Sequence, residues 1–455
     1  MKKNHFIWLA PIIAILVATL TSGLGQSYEI AVTLGVTTWV GLWWITEAVP
    51  IPFASLIPFI MLPSFGVIDF KEASSAFGSH VIILLLGAFL LAKGLESSGV
   101  HKRIAFNIIS FLGGTSAFRI VFAFMAASAI LSMWISNTAT VLALIPVATA
   151  VALSANNHKF AVVLLLGLAY SASIGGVGTL IGTPPNVIFA SVYEATAGQE
   201  YGFLQWMKLG VPIVAITIPV VALVLTRGIS LSHKIDLPEV GAWNKAEKSA
   251  IAVFIFIAFL WVFRKHPFGG WAELTGMAQV GDATIALFGA LLMALIKTDN
   301  NQPVLTWDKA KTIPWDMLIL FSSGICLAKG FAASGLSELI GQSLSGVFDL
   351  PLLLLLFALC LSLSFLTEVT SNTATATLFM PILASVAMEK GIPIELIMIP
   401  AVISCSFAFC LPVATAPNSI VFASGQLTIK DMAKHGVVLN FVGAAIVAVV
   451  VTLLY

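Results

Sequence analysis

The sequence predicts an all-α polytopic membrane protein with eleven transmembrane spans, two re-entrant hairpins and inverted five-span repeats. Three observations predict it. The 455-residue chain is 59% hydrophobic and only 9% charged, where soluble domains carry roughly 25% charged residues. Apolar runs recur along its length, at 6–20, 81–92, 209–226, 249–263, 283–296 and 435–454. With its flanks, each is long enough to cross or nearly cross a hydrocarbon core of about 30 Å. The pentapeptide SNTAT also occurs twice, at 136–140 and 371–375, inside apolar sequence and with a proline further along each copy (Pro146 and Pro381).

The spans fall at 6–24, 29–49, 51–68, 79–97, 160–191, 209–227, 249–263, 279–297, 314–331, 397–424 and 435–454. The first run, after Lys2 and Lys3, lacks a small-x-small cleavage site and reads as a span rather than a signal peptide. The stretches 117–156 and 350–388 remain, each apolar and each interrupted at its centre by SNTAT. Read as hairpins that enter and leave on one side, they leave sixteen of the 22 basic residues on the inner face and six outside. That bias satisfies the positive-inside rule with a cytoplasmic N-terminus and an outside C-terminus, in a plasma (inner) membrane. The partner of such a surface is the lipid bilayer.

Balanced charge, with 22 basic and 21 acidic residues, argues against nucleic acid as a partner. The four cysteines, Cys326, Cys360, Cys405 and Cys410, lie in apolar segments without the His or carboxylate neighbours a metal would need. The seven histidines are scattered at loops and span ends, which disfavours a membrane-embedded enzyme. A channel would show a polar stripe on several helices instead of two broken hairpins. Trp43, Trp44, Trp206 and Trp271 read as anchors at the membrane interface.

The same scheme contains a duplication. LLGAFLLAKGLESSGV (85–100) aligns with ILFSSGICLAKGFAASGL (319–336), SNTAT with SNTAT, and GTPPN (182–186) with ATAPN (414–418). The three pairs keep their order and nearly the same separation along the chain. The chain thus divides into an extra N-terminal span (1–28), a first repeat (29–227), an inner linker (228–248) and a second repeat (249–455). Each repeat holds five spans and a hairpin, and an odd number of spans sets the two in opposite orientation. Inverted repeats with matched interruptions point to a secondary transporter whose site lies at the midplane. Short amphipathic pieces at 100–113 and 335–347 suit the two membrane surfaces.

Polar backbone in hydrocarbon survives only where protein or water satisfies it. Ser136-Asn137-Thr138 and Ser371-Asn372-Thr373 are good helix N-caps, so each SNTAT breaks its helix and leaves amides and hydroxyls facing a common space. An Asn side chain there can offer its NH₂ to an anion and its oxygen to a cation. In GTPPN, Thr183 suits an N-cap, with Pro184 and Pro185 in the first turn and the glycines from Gly175 to Gly182 permitting unwound backbone upstream. ATAPN repeats this with Thr415, although Ala416 replaces the first proline. Four helix starts then converge, a geometry suited to an anion with two negative ends. None of the four motifs holds Arg or Lys, so dipoles, hydroxyls and bound cations must meet that charge. Carbonyl and hydroxyl ligands without carboxylates suit Na⁺ better than Ca²⁺ or Mg²⁺. A lone SNT in a membrane helix is more often a helix contact than a site; two at matched positions, each paired with a T-x-PN break, reverse that weighting. Glu47 reads as structural. Glu368, opposite Met133 in the first repeat, is open to a structural or a proton-carrying role.

At these residues the chain resembles the divalent-anion:sodium symporter family, the sodium-coupled carriers of dicarboxylates, citrate and sulfate. The resemblance rests on the two SNT motifs, the T-x-PN breaks, WITEAVPIP near the start and the repeat order, and covers nearly the whole chain. It implies a homodimer in which a transport domain moves elevator-fashion against a scaffold. It implies a substrate site of Ser136, Asn137, Thr138, Thr183, Ser371, Asn372, Thr373 and Thr415. The first Na⁺ site would use Ser132, Ser136, Asn137 and the Gly182 carbonyl; the second, Thr367, Thr370, Asn372 and the Ala414 carbonyl. The expected function is Na⁺-coupled symport of C4-dicarboxylates such as succinate, malate or fumarate. A citrate, sulfate or other divalent-anion carrier, or an exchanger on the same fold, is the alternative.

Overall fold

A computed structural model describes residues 4–231, 242–265, 269–344 and 350–454. Lys2 and Lys3, the middle of the 228–248 linker and the end of the second amphipathic piece lie outside them. Among the described residues every regular element is an α-helix, and the only extended pairing is an isolated bridge between Lys297 and Pro303. Among the described residues, seven helices are long and apolar enough to cross a membrane by length and composition. They include Phe203–Thr226, Trp315–Ser334 and Ile429–Leu454.

Helix starts follow the local chemistry. Ser27, Ser79, Ser116, Asn157 and Asn244 each accept a hydrogen bond from a backbone N–H one turn in, as an N-cap should. Stops are equally local. Gly99 and Gly335 both take φ +79° and end the helices His80–Ser98 and Trp315–Ser334. Only a residue without Cβ enters that left-handed region freely. The amphipathic helices Val100–Leu112 and Leu336–Leu344 begin immediately after. Even the hydrogen bonds match, with the Val100 N–H donating to Ser98 Oγ and the Leu336 N–H to Ser334 Oγ.

One span expected to be unbroken is not a single helix. Residues 51–68 form Ile51–Ala54 and Ile57–Ser64, separated by Ser55 and Leu56. Pro52 and Pro58 sit near the start of each piece, where a missing N–H costs nothing, but Pro58 would be interior to one helix running across both and interrupts it.

The core centres on the helix His158–Gly176, buried at every residue from Phe160 onward. It packs against both Ala117–Ser132 and Asn137–Ser154. Two tryptophans read as interface anchors belong to the interior instead. Trp44 and Trp206 are fully buried, and their ring N–H groups donate to Ser55 Oγ (3.0 Å) and the Val177 carbonyl (2.8 Å). A buried indole is stable once its single donor has a partner, and here each has one. Trp43 and Trp271 are half-buried and donate to backbone carbonyls of Phe6 and Leu260.

Candidate functional site

At the first SNT, helix Ala117–Ser132 ends and helix Asn137–Ser154 begins at Asn137, with Met133 to Ser136 between them. Ser136 is the N-cap, its hydroxyl accepting from the Ala139 N–H at 3.2 Å. The hydroxyl of Ser132, the last residue before the break, donates to Asn137 Oδ1 at 2.5 Å. The partner break runs from Val177 to Thr183, between His158–Gly176 and Pro184–Ala197. Asn186 holds it closed, its NH₂ donating to the carbonyls of Gly176 (3.0 Å) and Thr179 (2.7 Å). Thr183 occupies the N-cap position, but its hydroxyl makes no capping bond.

These two breaks meet at Gly176. A Cβ there would lie 2.9 Å from Asn137 Oδ1 and 3.0 Å from the Gly182 carbonyl oxygen, and one on Gly182 would collide with the Gly176 oxygen. Absence of both side chains lets a carboxamide oxygen and backbone carbonyls crowd one small space. Neutral oxygens gathered this way form a cradle that could hold a small hard cation.

The second half repeats the arrangement with its own differences. Helix Asn372–Glu389 begins at its SNT with Ser371 as N-cap, here without a side-chain bond. The Thr367 hydroxyl donates to Asn372 Oδ1 (2.7 Å), as Ser132 does to Asn137, and also reaches the Cys405 carbonyl (3.0 Å). Thr370 pairs with the Thr375 hydroxyl at 2.6 Å. The second unwound segment lies between Ile394–Ser404 and Ala416–Phe422. Asn418 ties it by donating to the Ala408 (3.1 Å) and Leu411 (3.0 Å) carbonyls. When GTPPN is aligned with ATAPN, this donor and its two acceptors are the counterparts of Asn186, Gly176 and Thr179. Thr415 caps the short helix by accepting from the Asn418 N–H at 3.2 Å, so the start at Ala416 is held without the first proline.

All eight residues expected at the substrate (Ser136, Asn137, Thr138, Thr183, Ser371, Asn372, Thr373 and Thr415) line one cavity of about 1260 Å³. Gly182, Thr370 and Ala414 line it too. Ser132 and Thr367 do not; they are fully buried and act on the wall through Asn137 and Asn372. The remaining wall comes from helices Tyr28–Thr46 and His80–Ser98, from the start of Val100–Leu112 and from residues 312–317. It carries Glu47, Lys93, Glu96, His101 and Lys102. Glu47 ends the helix Tyr28–Thr46 at φ +47°. Among the described wall residues that come from the four breaks, only Glu368 is ionisable.

Sequence reasoning missed four residues that hold this site together. Asn186 and Asn418 were visible as the final residue of both T-x-PN breaks. Trp206 and Tyr170, which reach the two unwound segments from neighbouring helices, carried no local signal.

Broken helices that meet in one cavity, in an all-helical chain with several apolar helices of membrane length, fit the class of membrane transporters. The citrate transporter family model, CitMHS, matches residues 42–397, and the chain belongs to the divalent-anion:sodium symporter family. It is similar to the sodium-dependent dicarboxylate transporter SdcS of Staphylococcus saprophyticus, 37% identical across 97% of this chain and 89% of that protein. It is 36% identical to SdcS of Staphylococcus aureus, across 92% of this chain and 84% of that one. Two solved transporters share the fold. They are YdaH of Alcanivorax borkumensis (TM-score 0.59, 14% identity, 85% of this chain and 88% of that) and MtrF of Neisseria gonorrhoeae (TM-score 0.62, 13% identity, 83% of each).

Proposed function

We propose that this protein is a Na⁺-coupled symporter of C4-dicarboxylates such as succinate, malate or fumarate. The observation that carries the reading is the pair of matched tips in one cavity. Asn137 and Asn372 each take a hydroxyl from the preceding helix on their oxygen, while Asn186 and Asn418 brace the carbonyls beside them. Each Asn oxygen then serves Na⁺ together with the Gly182 or Ala414 carbonyl, and each NH₂ serves one substrate carboxylate. Ser136, Thr138 and Thr183 complete one end of the dianion's site, and Ser371, Thr373 and Thr415 the other. A monoanion would leave one end unmatched, at a cost of about 1–3 kcal/mol for stranded polar groups.

The coupling follows from sharing. Because one side chain contacts both ligands, bound Na⁺ orients the amide for the anion and bound anion favours Na⁺, a reciprocity that linkage requires. The reading extends to eleven spans with re-entrant hairpins at 117–156 and 350–388, and inverted repeats at 29–227 and 249–455. It extends also to an elevator-type movement in a homodimer of the inner membrane, with the N-terminus cytoplasmic. Lys93 and Lys102, inner-face residues under that topology, line the cavity wall, which supports an inward-open conformation. The relatives named as sodium-dependent dicarboxylate transporters support the choice of ions. A citrate carrier is the second reading, favoured by the family model's description.

Uptake of labelled succinate into proteoliposomes tests the proposal. Accumulation driven by an inward Na⁺ gradient and abolished when K⁺ replaces Na⁺ is the expected result. Uptake indifferent to Na⁺, or competed by citrate and not by malate or fumarate, overturns it.

A further inference from the structure

We propose that Glu194 and Glu200, held by His80 and Arg264, form a polar latch that keeps the carrier in its inward-open state. The inference rests on the inward-open reading and on movement of the site-bearing helices against the helices around them. Two packed groups of helices meet at the latch. In the site-bearing group, His158–Gly176 packs on Ala117–Ser132, Asn137–Ser154, Phe203–Thr226 and Ala416–Phe422, and Pro184–Ala197 packs on Asn372–Glu389 and Ile394–Ser404. His80–Ser98, Lys245–Val262 and Asp282–Leu295 pack on one another as a second group, a wall.

Glu194 lies on Pro184–Ala197 and Glu200 shortly before Phe203–Thr226, so both carboxylates travel with the site. His80 and Asp282 open two of the wall helices, and Arg264 follows the third. His80 Nδ1 donates to Glu194 Oε1 at 2.6 Å, and Arg264 Nη2 to Glu200 Oε2 at 3.3 Å. The Phe203 N–H crosses the same boundary to Asp282 Oδ2 at 2.9 Å. Within the wall, Arg264 Nε lies 3.0 Å from Asp282 Oδ1, and both residues are buried. Withdrawal of Glu200 therefore leaves Arg264 paired. Glu194 and Glu200 are already part-exposed, so water can take over their hydrogen bonds. A contact of this kind is worth little and opens reversibly.

The latch and the cavity lie at opposite ends of the wall. Lys93 stands on the same helix as His80, about 20 Å further along at the helical rise per residue, and lines the cavity. His80, Glu194, Glu200, Arg264 and Asp282 do not. The second half offers no match. The alignment that pairs Lys93 with Lys329 sets Asp316 opposite His80, and the alignment of GTPPN with ATAPN sets Gln426 opposite Glu194. An acid and a neutral amide form no ion pair. Polar contacts thus close one face only, and they weight the empty carrier toward the state in which its site faces the cytoplasm.

The experiment measures the distance between spin labels at Ala195→Cys, on the site-bearing group, and Leu274→Cys, beside the wall, both at exposed positions. The native cysteines are buried. Full-length protein in nanodiscs, with labelled chains diluted in unlabelled ones, is read with and without Na⁺ and succinate. The parent without ligands should be dominated by one distance, with a minor second distance from the outward-open state. Glu200→Gln should raise the ratio of minor to major by about two- to fivefold, the scale of one part-exposed ion pair. Glu200→Lys places a like charge beside Arg264 and should raise it further. Variants of Glu200 that match the parent, or a smaller shift for Lys than for Gln, overturn the latch while the movement stands. A parent with a single distance under every condition overturns the movement, and the latch with it.

Discussion

The hydroxyl of Tyr170 donates to the carbonyl of Phe409 across 2.7 Å, with both residues buried. Tyr170 lies on the central helix of the first half and Phe409 in the unwound segment of the second. The Phe409 N–H is bound to Glu368, so the residue is fixed at both its amide and its carbonyl. One hydroxyl thereby joins the two halves beside the site.

Tyr170→Phe keeps the ring, whose centroid lies 5.0 Å from that of Phe409, and strands the carbonyl. A buried acceptor left without its donor costs about 1–3 kcal/mol. The melting temperature should fall and half-saturating Na⁺ should rise, with the fold retained. A variant with the parent's melting temperature and Na⁺ response would show that the bond is incidental.

Gly176→Ala should act more sharply and more locally. Its methyl would stand 2.9 Å from Asn137 Oδ1 and 3.0 Å from the Gly182 carbonyl, inside the first cradle. Na⁺-dependent uptake should drop by at least about tenfold, the equivalent of about 1.4 kcal/mol, with the protein still folded in detergent. The second half carries Ala408 at the corresponding place, so Ala408→Gly should be far milder. Normal uptake by Gly176→Ala would remove the first cradle from the account.

Much of this was legible because each signal was local. A capping serine with Asn and Thr after it, set in apolar sequence, announced the breaks at 136 and 371. A T-x-P start announced those at 183 and 415. The places where reading failed depended on distance or on partners. Hydropathy counts 51–68 as one apolar run and is blind to Pro58, which divides it. Trp206 looks like an anchor until its ring N–H is seen on the Val177 carbonyl. Glu368 stood out as a lone acid in apolar sequence, but the amides that hold it belong to a distant part of the chain. Asn186 and Asn418 were overlooked although both halves repeat them, since the threonine and proline beside them supplied the expected helix-start chemistry.

Opposite orientation of the two hairpins is open to chemical labelling. The four native cysteines are buried, so single cysteines at Asn157 or His158 and at Gly391 or Ile392 report on their own turns. A membrane-impermeant thiol reagent should reach the 157–158 pair from the cytoplasmic side and the 391–392 pair from outside. Labelling of both from one side refutes inverted repeats.

The paired use of Asn137 and Asn372 is the centre of the account, and aspartate at either position tests it most directly. Asn→Asp preserves size and the cation-facing oxygen, removes both NH₂ donors and places a negative charge beside an anion. The measurement is a thermal-shift titration of purified Asn137→Asp and Asn372→Asp, first with Na⁺ and then with succinate at saturating Na⁺. Each variant should keep part of its Na⁺ response and lose its succinate response. Succinate binding equal to the parent's in both variants would contradict it.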